Sequence, residues 1–105
     1  MNKPMKLQMH SIHFDADRKL LDYIQKKAEK LETFYDRITD GEVFLRLTKD
    51  SVSHSNKVLE IKLNVPGQTL FVKETSTSFE AAADEAVEAL KTQLKKFKEK
   101  NGNGH

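Results

Sequence analysis

Lysines recur along one side of the last helix that the sequence predicts. Lys91, Lys95 and Lys98 stand at positions i, i+4 and i+7, which makes a ridge of ammonium groups about 10 Å long at ~1.5 Å rise per residue. Basic residues near a helix end complement the helix dipole, but the five lysines of this half exceed that need. Ammonium groups spaced in this way match a phosphate backbone. The pattern therefore predicts electrostatic binding of phosphates.

The first predicted helix carries a second basic stripe. At about 100° per residue, Lys19, Lys26 and Lys30 share a sector beside the apolar stripe, and the acidic residues lie on the far side. One interpretation is a solvated helix face whose lysine stems cover the edge of the core. Two such stripes on neighbouring helices favour a basic groove that binds structured RNA by shape and charge. Six lysines would flank that groove: Lys26, Lys27, Lys30, Lys91, Lys95 and Lys98.

Catalytic interpretations are weak in this sequence. The chain has no cysteine, which excludes disulfides, thiolate zinc sites and cysteine nucleophiles. His10 and His13 are three residues apart on a predicted strand, so they point to opposite faces and do not form a metal pair. His54 lies in a polar loop, where solvent exposure is the favoured interpretation and contact with RNA the alternative. We expect no catalytic residues, no metal and no cofactor.

Length and charge restrict the class of protein. A chain of 105 residues is expected to form one domain. Its net charge of +2 is only mildly basic, so any affinity for polyanions must come from the arrangement of charges. No segment reads as a signal peptide, and none approaches the roughly 18 apolar residues that span a bilayer. A cytoplasmic protein that does not bind membranes is expected.

Hydrophobic periodicity predicts four strands and two helices. Apolar residues alternate in each strand and recur every three or four residues in each helix. Asp40-Gly41 is a turn signal, and Pro66-Gly67 is a second one. The predicted order is strand 5–13, a helix from an Asp17 cap to about 34–35, strand 42–49, a hairpin loop at 50–56, and strands 58–65 and 69–75. A second helix then runs to about 100, with Ser78 as one cap candidate and Thr77 at the capping-box spacing from Glu80 as the other, and a disordered tail follows at 101–105.

This order predicts an α+β fold with two layers. A helix that joins the first two strands implies a parallel pair with a right-handed crossover, whereas the short connections afterwards imply an antiparallel meander. Both helices then cover one face of a four-stranded mixed sheet, in the order β-α-β-β-β-α. The other face is open, and Phe44 and Phe71 on it suggest the alternative function, a protein-interaction module. A small-molecule enzyme has almost no support.

Several separated stretches together resemble one protein family. They are KLETFYDRI at 30–38, LNVPG at 63–67, FEAAADEAV at 79–87 and QLKKFK at 93–98. In this order and at these distances they resemble the ribosome hibernation-promoting factor family, which includes the ribosome-associated inhibitor A proteins and was once called sigma-54 modulation protein. The resemblance covers about residues 5–100.

The resemblance implies a domain similar to double-stranded RNA-binding folds, with residues 1–100 as the ribosome-binding part. It implies binding to the small ribosomal subunit and the whole ribosome, in the channel for messenger and transfer RNA, which blocks translation in stationary phase. The implied RNA contacts are Lys27, Lys30, Lys91, Lys95, Lys96 and Lys98, with Arg37 and His54 as weaker transfers.

Two positions depart from the family pattern. Lys91 and Thr92 stand where many members carry an acid followed by arginine, and Ala28 replaces a usual leucine. The chain resembles the short form of the family, which has no second domain for pairing ribosomes, so we expect pairing to require another factor.

Overall fold

The computed structural model describes residues 5–49 and 55–102. The sheet has four strands in the order β1-β2-β3-β4, with β1 parallel to β2 and the other neighbours antiparallel. This confirms the predicted α+β fold with a mixed sheet. The elements are β1 (Lys6–Ser11), α1 (Arg18–Glu29), a 3₁₀ turn (Lys30–Thr33), β2 (Asp40–Leu47), β3 (Lys57–Val65), β4 (Gln68–Ser76) and α2 (Phe79–Gly102).

Side-chain caps start both helices where the sequence predicts them. The Asp17 carboxylate accepts a hydrogen bond from the Leu20 backbone N–H at 2.9 Å. The Ser78 hydroxyl accepts one from the Ala81 N–H at 3.0 Å. Each cap satisfies an N–H that has no partner within the helix and is worth about 0.5–2 kcal/mol.

The helix ends differ slightly from the prediction. α1 tightens into the 3₁₀ turn at Lys30 and ends at Thr33, shortly before the predicted end. α2 continues to Gly102. Residues 103–105 lie outside the described part of the chain, so the disordered tail remains a prediction there. Neither described helix has an apolar stretch long enough to cross a membrane.

The prediction of a turn at Asp40-Gly41 is wrong, because both residues belong to β2. Gly41 is buried and pairs with Leu7 on one side and Leu63 on the other. A Cβ atom at this position would lie 2.7 Å from the Lys62 carbonyl oxygen and 2.9 Å from the Leu7 side chain. The glycine is therefore needed for close packing within the sheet.

The second turn signal is confirmed. Pro66 and Gly67 connect β3 to β4, and Gly67 has a φ of 80°, which glycine adopts without steric cost. The predicted loop between β2 and β3 falls largely on residues 50–54, which lie outside the described residues. His54 is one of them, so its contact with RNA remains a prediction.

One hydrophobic core fills the space between the sheet and the helices. The apolar stripe of α1 places Ile24 and Ala28 in it, and Leu90 and Leu94 of α2 are fully buried there. The alternation of β2 predicts that Leu47 points inward, but this residue is 48% exposed at the end of the strand. Because both helices pack on this face, their basic stripes come next to each other in the same outer layer.

Candidate nucleic-acid interface

The two helices lie side by side and run in the same direction. Near the start of both, Phe14 stacks on Phe79 with ring centroids 5.4 Å apart. Further along, Tyr23 of α1 contacts Asp84 of α2. Residue 34, just after the 3₁₀ turn, contacts residue 98 of α2. Contacts thus advance together along both segments, which brings the lysine-rich half of α2 beside the end of the first helical segment.

Asp84 links the helices through one hydrogen bond and one salt bridge. The Tyr23 hydroxyl donates to its Oδ1 atom at 2.8 Å, and the Lys27 ammonium lies 3.3 Å from the same oxygen. The hydrogen bond to the Asp84 carboxylate is the main cause that raises the pKa of Tyr23; desolvation and the charges of Asp84 and Glu80 add to it. Tyr23 therefore stays a hydrogen-bond donor at neutral pH, and Lys27 has a partner within the protein.

The Phe34 ring lies further along the contact between the two helical segments, beside the lysine-rich half of α2. Its side chain is 41% exposed. The Lys91 ammonium lies 4.6 Å from the ring centroid, which is within the range of a cation–π contact. Lys98 donates a hydrogen bond to the Phe34 carbonyl oxygen at 3.2 Å. The next residue, Tyr35, packs edge-on against Phe97 at 5.5 Å between centroids.

These residues define an interhelical groove. The name denotes the boundary between the two helical segments, which Tyr23, Lys27, Asp84, Phe34 and Lys91 contact across. The exposed lysines beside this boundary, called its rims, are Lys26 and Lys30 on one segment and Lys95 and Lys98 on the other.

Three rim lysines are available for a ligand. Within residues 5–49 and 55–102, no hydrogen bond or ion pair engages the ammonium groups of Lys26, Lys30 and Lys95. Lys26 and Lys30 are one turn apart on the solvent side of the first helical segment, and Lys95 is one turn beyond Lys91. The groove thus has solvated positive charge on both rims at its lysine-rich end.

The remaining predicted residues lie apart from the groove or at its end. Arg37 is exposed in the turn that follows the 3₁₀ turn. Lys96 faces the opposite flank of α2, where it lines a shallow concavity of about 220 Å³ beside β4, together with Gln68, Leu70, Gln93, Phe97 and Lys100. The structure thus brings most of the predicted α1 and α2 lysines together and separates Lys96 from them.

Acidic residues occupy the other end of the helical layer. Glu80, Asp84, Glu85 and Glu88 all lie in the first half of α2. In the part of the chain that the structure describes, no three His, Asp or Glu side chains are close enough to hold a metal ion, and no polar side chain is buried. The chemistry that this arrangement supports is the binding of anions at one end.

The open face of the sheet is more polar than the sequence suggests. Phe44 is half-buried, because His10 stacks on it at 4.8 Å between centroids and Lys62 lies 5.6 Å from its ring. The His10 ring nitrogen is 3.2 Å from Glu42. Of these two phenylalanines, only Phe71 is exposed, at 46%. They therefore do not form a continuous apolar patch.

Two features of the site were not predicted from the sequence. One is the link from Tyr23 and Lys27 to Asp84. The tyrosine and the aspartate are 61 positions apart in the chain. The other is the position of the Phe34 ring between Lys91 and solvent. The sequence signal for the second was the aromatic pair Phe34 and Tyr35 at the end of the apolar stripe, for which core packing or a partly exposed cap is the favoured interpretation and stacking on a base the alternative.

Fold and charge pattern define a class of protein: a small two-layer α+β domain with lysines gathered along the boundary between two parallel helices. Residues 7–101 match the family described as "Sigma 54 modulation protein / S30EA ribosomal protein", and the chain belongs to this family. The family comprises ribosome-associated hibernation factors.

Relatives with known names agree with this assignment. The chain is 30% identical over 91 residues to the "Ribosome hibernation promotion factor" of Deinococcus radiodurans, covering 87% of this chain and 48% of that protein. It thus spans about half the length of that relative. It is 28% identical over 96 residues to the "Ribosome hibernation promoting factor" of Pseudomonas putida, covering 91% of this chain and 89% of that protein.

Solved structures show the same fold. A ribosomal subunit interface protein from Coxiella burnetii superimposes with a TM-score of 0.80 at 23% identity, covering 90% of this chain and 98% of the other. The N-terminal domain of Thermus thermophilus Protein Y superimposes with a TM-score of 0.74 at 26% identity, covering 90% and 99%. The predicted family and fold are therefore both confirmed.

Proposed function

We propose that this protein silences translation by binding the small ribosomal subunit through its interhelical groove, in the channel that messenger and transfer RNA use. The observation that carries the proposal is the arrangement of Lys26, Lys30 and Lys95, whose ammonium groups face solvent on both rims of one groove. Opposed rims of positive charge fit a phosphate backbone that runs between them.

The physical basis is charge and shape. Ribosomal RNA in helical form presents its phosphates and 2′-hydroxyls, while its deep major groove is closed to side chains. A protein that binds this surface gains affinity chiefly from release of the counterions that its lysines replace. The groove offers about three to five ammonium groups for that purpose. We therefore infer binding that follows RNA shape and weakens steeply with salt.

The relatives support the ribosome as the partner. Two of them are named as ribosome hibernation factors, and one structure is named as a ribosomal subunit interface protein. The proposal has the protein act by occupying a site, without catalysing a reaction. Exclusion of messenger and transfer RNA from the channel is then sufficient to stop translation.

Sedimentation with purified ribosomes and separated subunits tests the proposal. At about 0.1 M salt we expect the protein to travel with the small subunit and the whole ribosome, and at about 0.5 M salt to be released. Equal binding to the isolated large subunit, or no binding at either salt concentration, would contradict it. Binding to the large subunit that is insensitive to salt would favour a protein contact through the sheet face.

Competition then tests the site on the ribosome. Small subunits loaded beforehand with messenger and transfer RNA should exclude the protein, and loading the protein first should inhibit translation of an added message. Simultaneous binding of all three would refute the channel as the site. The same gradients show whether paired ribosomes accumulate.

A further inference from the structure

We propose that the exposed ring of Phe34 is a stacking position for one unpaired RNA base, so that the groove reads local RNA structure as well as charge. This inference rests on the proposed function, because it places the base within the same RNA site. Its ligand is an unpaired nucleotide whose phosphates contact the neighbouring lysines.

The first argument is that the backbone that carries the ring is held in place while the residue stays exposed. Leu31, three residues earlier, is fully buried, and Tyr35 packs against Phe97. Lys98 holds the carbonyl oxygen of residue 34 itself. With its neighbours anchored, Phe34 nevertheless remains 41% exposed. A fixed aromatic surface loses little conformational entropy when a base stacks on it.

The second argument comes from the charges around the ring. Lys91 covers part of the ring at 4.6 Å from the centroid, and the exposed surface remains for another planar group. Lys30 precedes the ring in the 3₁₀ turn, and Lys98 lies beside it. A stacked nucleotide would therefore have its phosphate near an ammonium group. An apolar protein segment would gain nothing from these charges, which favours a nucleotide as the occupant.

The sheet face does not offer an equivalent position. Phe44 has His10 stacked on it and Lys62 near its ring, so little of its surface is free for a base. Phe71 is 46% exposed, which matches the exposure of Phe34, but it lies on the opposite side of the sheet from the helices. Phe71 is therefore a matched control for an exposed phenylalanine outside the groove.

Tryptophan fluorescence provides the first test, because the chain has no tryptophan of its own. Phe34→Trp and Phe71→Trp each introduce a single reporter, and circular dichroism checks their folding. The ligands are a single-stranded RNA of about 12 nucleotides, an RNA duplex of that length and an abasic ribose-phosphate chain, at about 0.1 M salt. We expect the single strand alone to quench the reporter at position 34 strongly and to leave the reporter at position 71 unaffected. Equal quenching by the abasic chain, or no quenching at position 34, would overturn the inference.

Ribosome affinity provides the second test. Phe34→Ala should weaken binding about 5- to 100-fold without changing its salt dependence, because it removes stacking and no charge. Phe34→Leu should behave similarly, and Phe71→Ala should bind like the wild-type protein. Wild-type affinity of both Phe34 variants would overturn the stacking role and leave the proposed function intact. If the wild-type protein does not bind ribosomes at all, the proposed function fails, and the fluorescence titration still decides whether Phe34 stacks on a base.

Discussion

The double substitution Lys30→Gln with Lys95→Gln should weaken ribosome binding strongly at low salt and little at high salt. It removes one lysine from each rim of the groove. Neither ammonium group has a partner in the described structure, so their loss removes no internal contact. The substitutions therefore change the charge of the groove while the helical layer keeps its packing. This separation of binding from folding makes the pair more informative than Lys27 or Lys91, which have partners within the protein.

The size of the effect follows from counterion release. Each phosphate that a lysine neutralises contributes about 0.7–0.9 to the slope of log affinity against log salt concentration, so the pair should lower that slope by about 1.4–1.8. At about 0.1 M salt this corresponds to about 25- to 60-fold weaker binding. At about 0.5 M salt the same slope leaves a difference of only about 3-fold.

The assay is equilibrium binding of the labelled protein to purified small subunits over this range of salt. The matched control is Lys6→Gln with Lys73→Gln, which removes the same charge from exposed lysines on the open face of the sheet. The control should lose far less affinity than the groove variant and keep the wild-type slope. Equal losses in the two double variants would refute the assignment of the groove and indicate only a dependence on net charge.

Three further outcomes are expected from single substitutions. Gly41→Ala should lower the free energy of unfolding by about 1–3 kcal/mol in urea, because its Cβ would meet a backbone carbonyl oxygen at 2.7 Å. Gly67→Asn should cost less, because a Cβ there meets no atom within 4 Å and asparagine tolerates a positive φ better than most residues. Equal stability of the two variants would contradict the packing argument. The folded-state pKa of Tyr23 is raised above 10.0, so its contribution to stability should be complete below about pH 10 and be lost as pH rises further. Tyr23→Phe should remove this part of the alkaline loss of stability in denaturant titrations. An unchanged pH profile would disprove the argument. Asp84→Asn should free Lys27 and remove a negative charge from the groove, which should raise ribosome affinity about 5- to 8-fold at about 0.1 M salt; weaker binding by a folded variant would show that the pairing of Lys27 assists RNA binding.

Features that depend on local pattern could be predicted from the sequence. The caps at Asp17 and Ser78 use hydrogen bonds over three residues, and the apolar repeat of α2 specifies its buried side. The order of elements then limits the sheet topology, since a helical crossover requires parallel strands. These levels agree with one another in this chain, which explains why the fold was predictable.

Features that depend on distant contacts could not be predicted in the same way. Gly41 looks like a turn residue locally, and its tight fit arises only when β1 and β3 flank β2. Lys27 and Lys91 look like free charges until the other helical segment supplies Asp84 and Phe34. Lys96 belongs to a different flank of α2 because that side packs beside β4. The spacing of the lysines along the helices therefore indicated the candidate residues, and only the structure shows which of them have partners within the protein.

The parallel helices would also affect how the protein approaches RNA at the proposed site. With a net charge of only +2, overall attraction to a polyanion is weak, but the acidic start and basic end of α2 give the molecule an electric dipole along the helices. At the proposed site, the field of the RNA surface would exert a torque on this dipole and turn the basic end forward before contact. Fewer encounters are then lost to wrong orientations, so added salt should slow productive docking more than it hastens release.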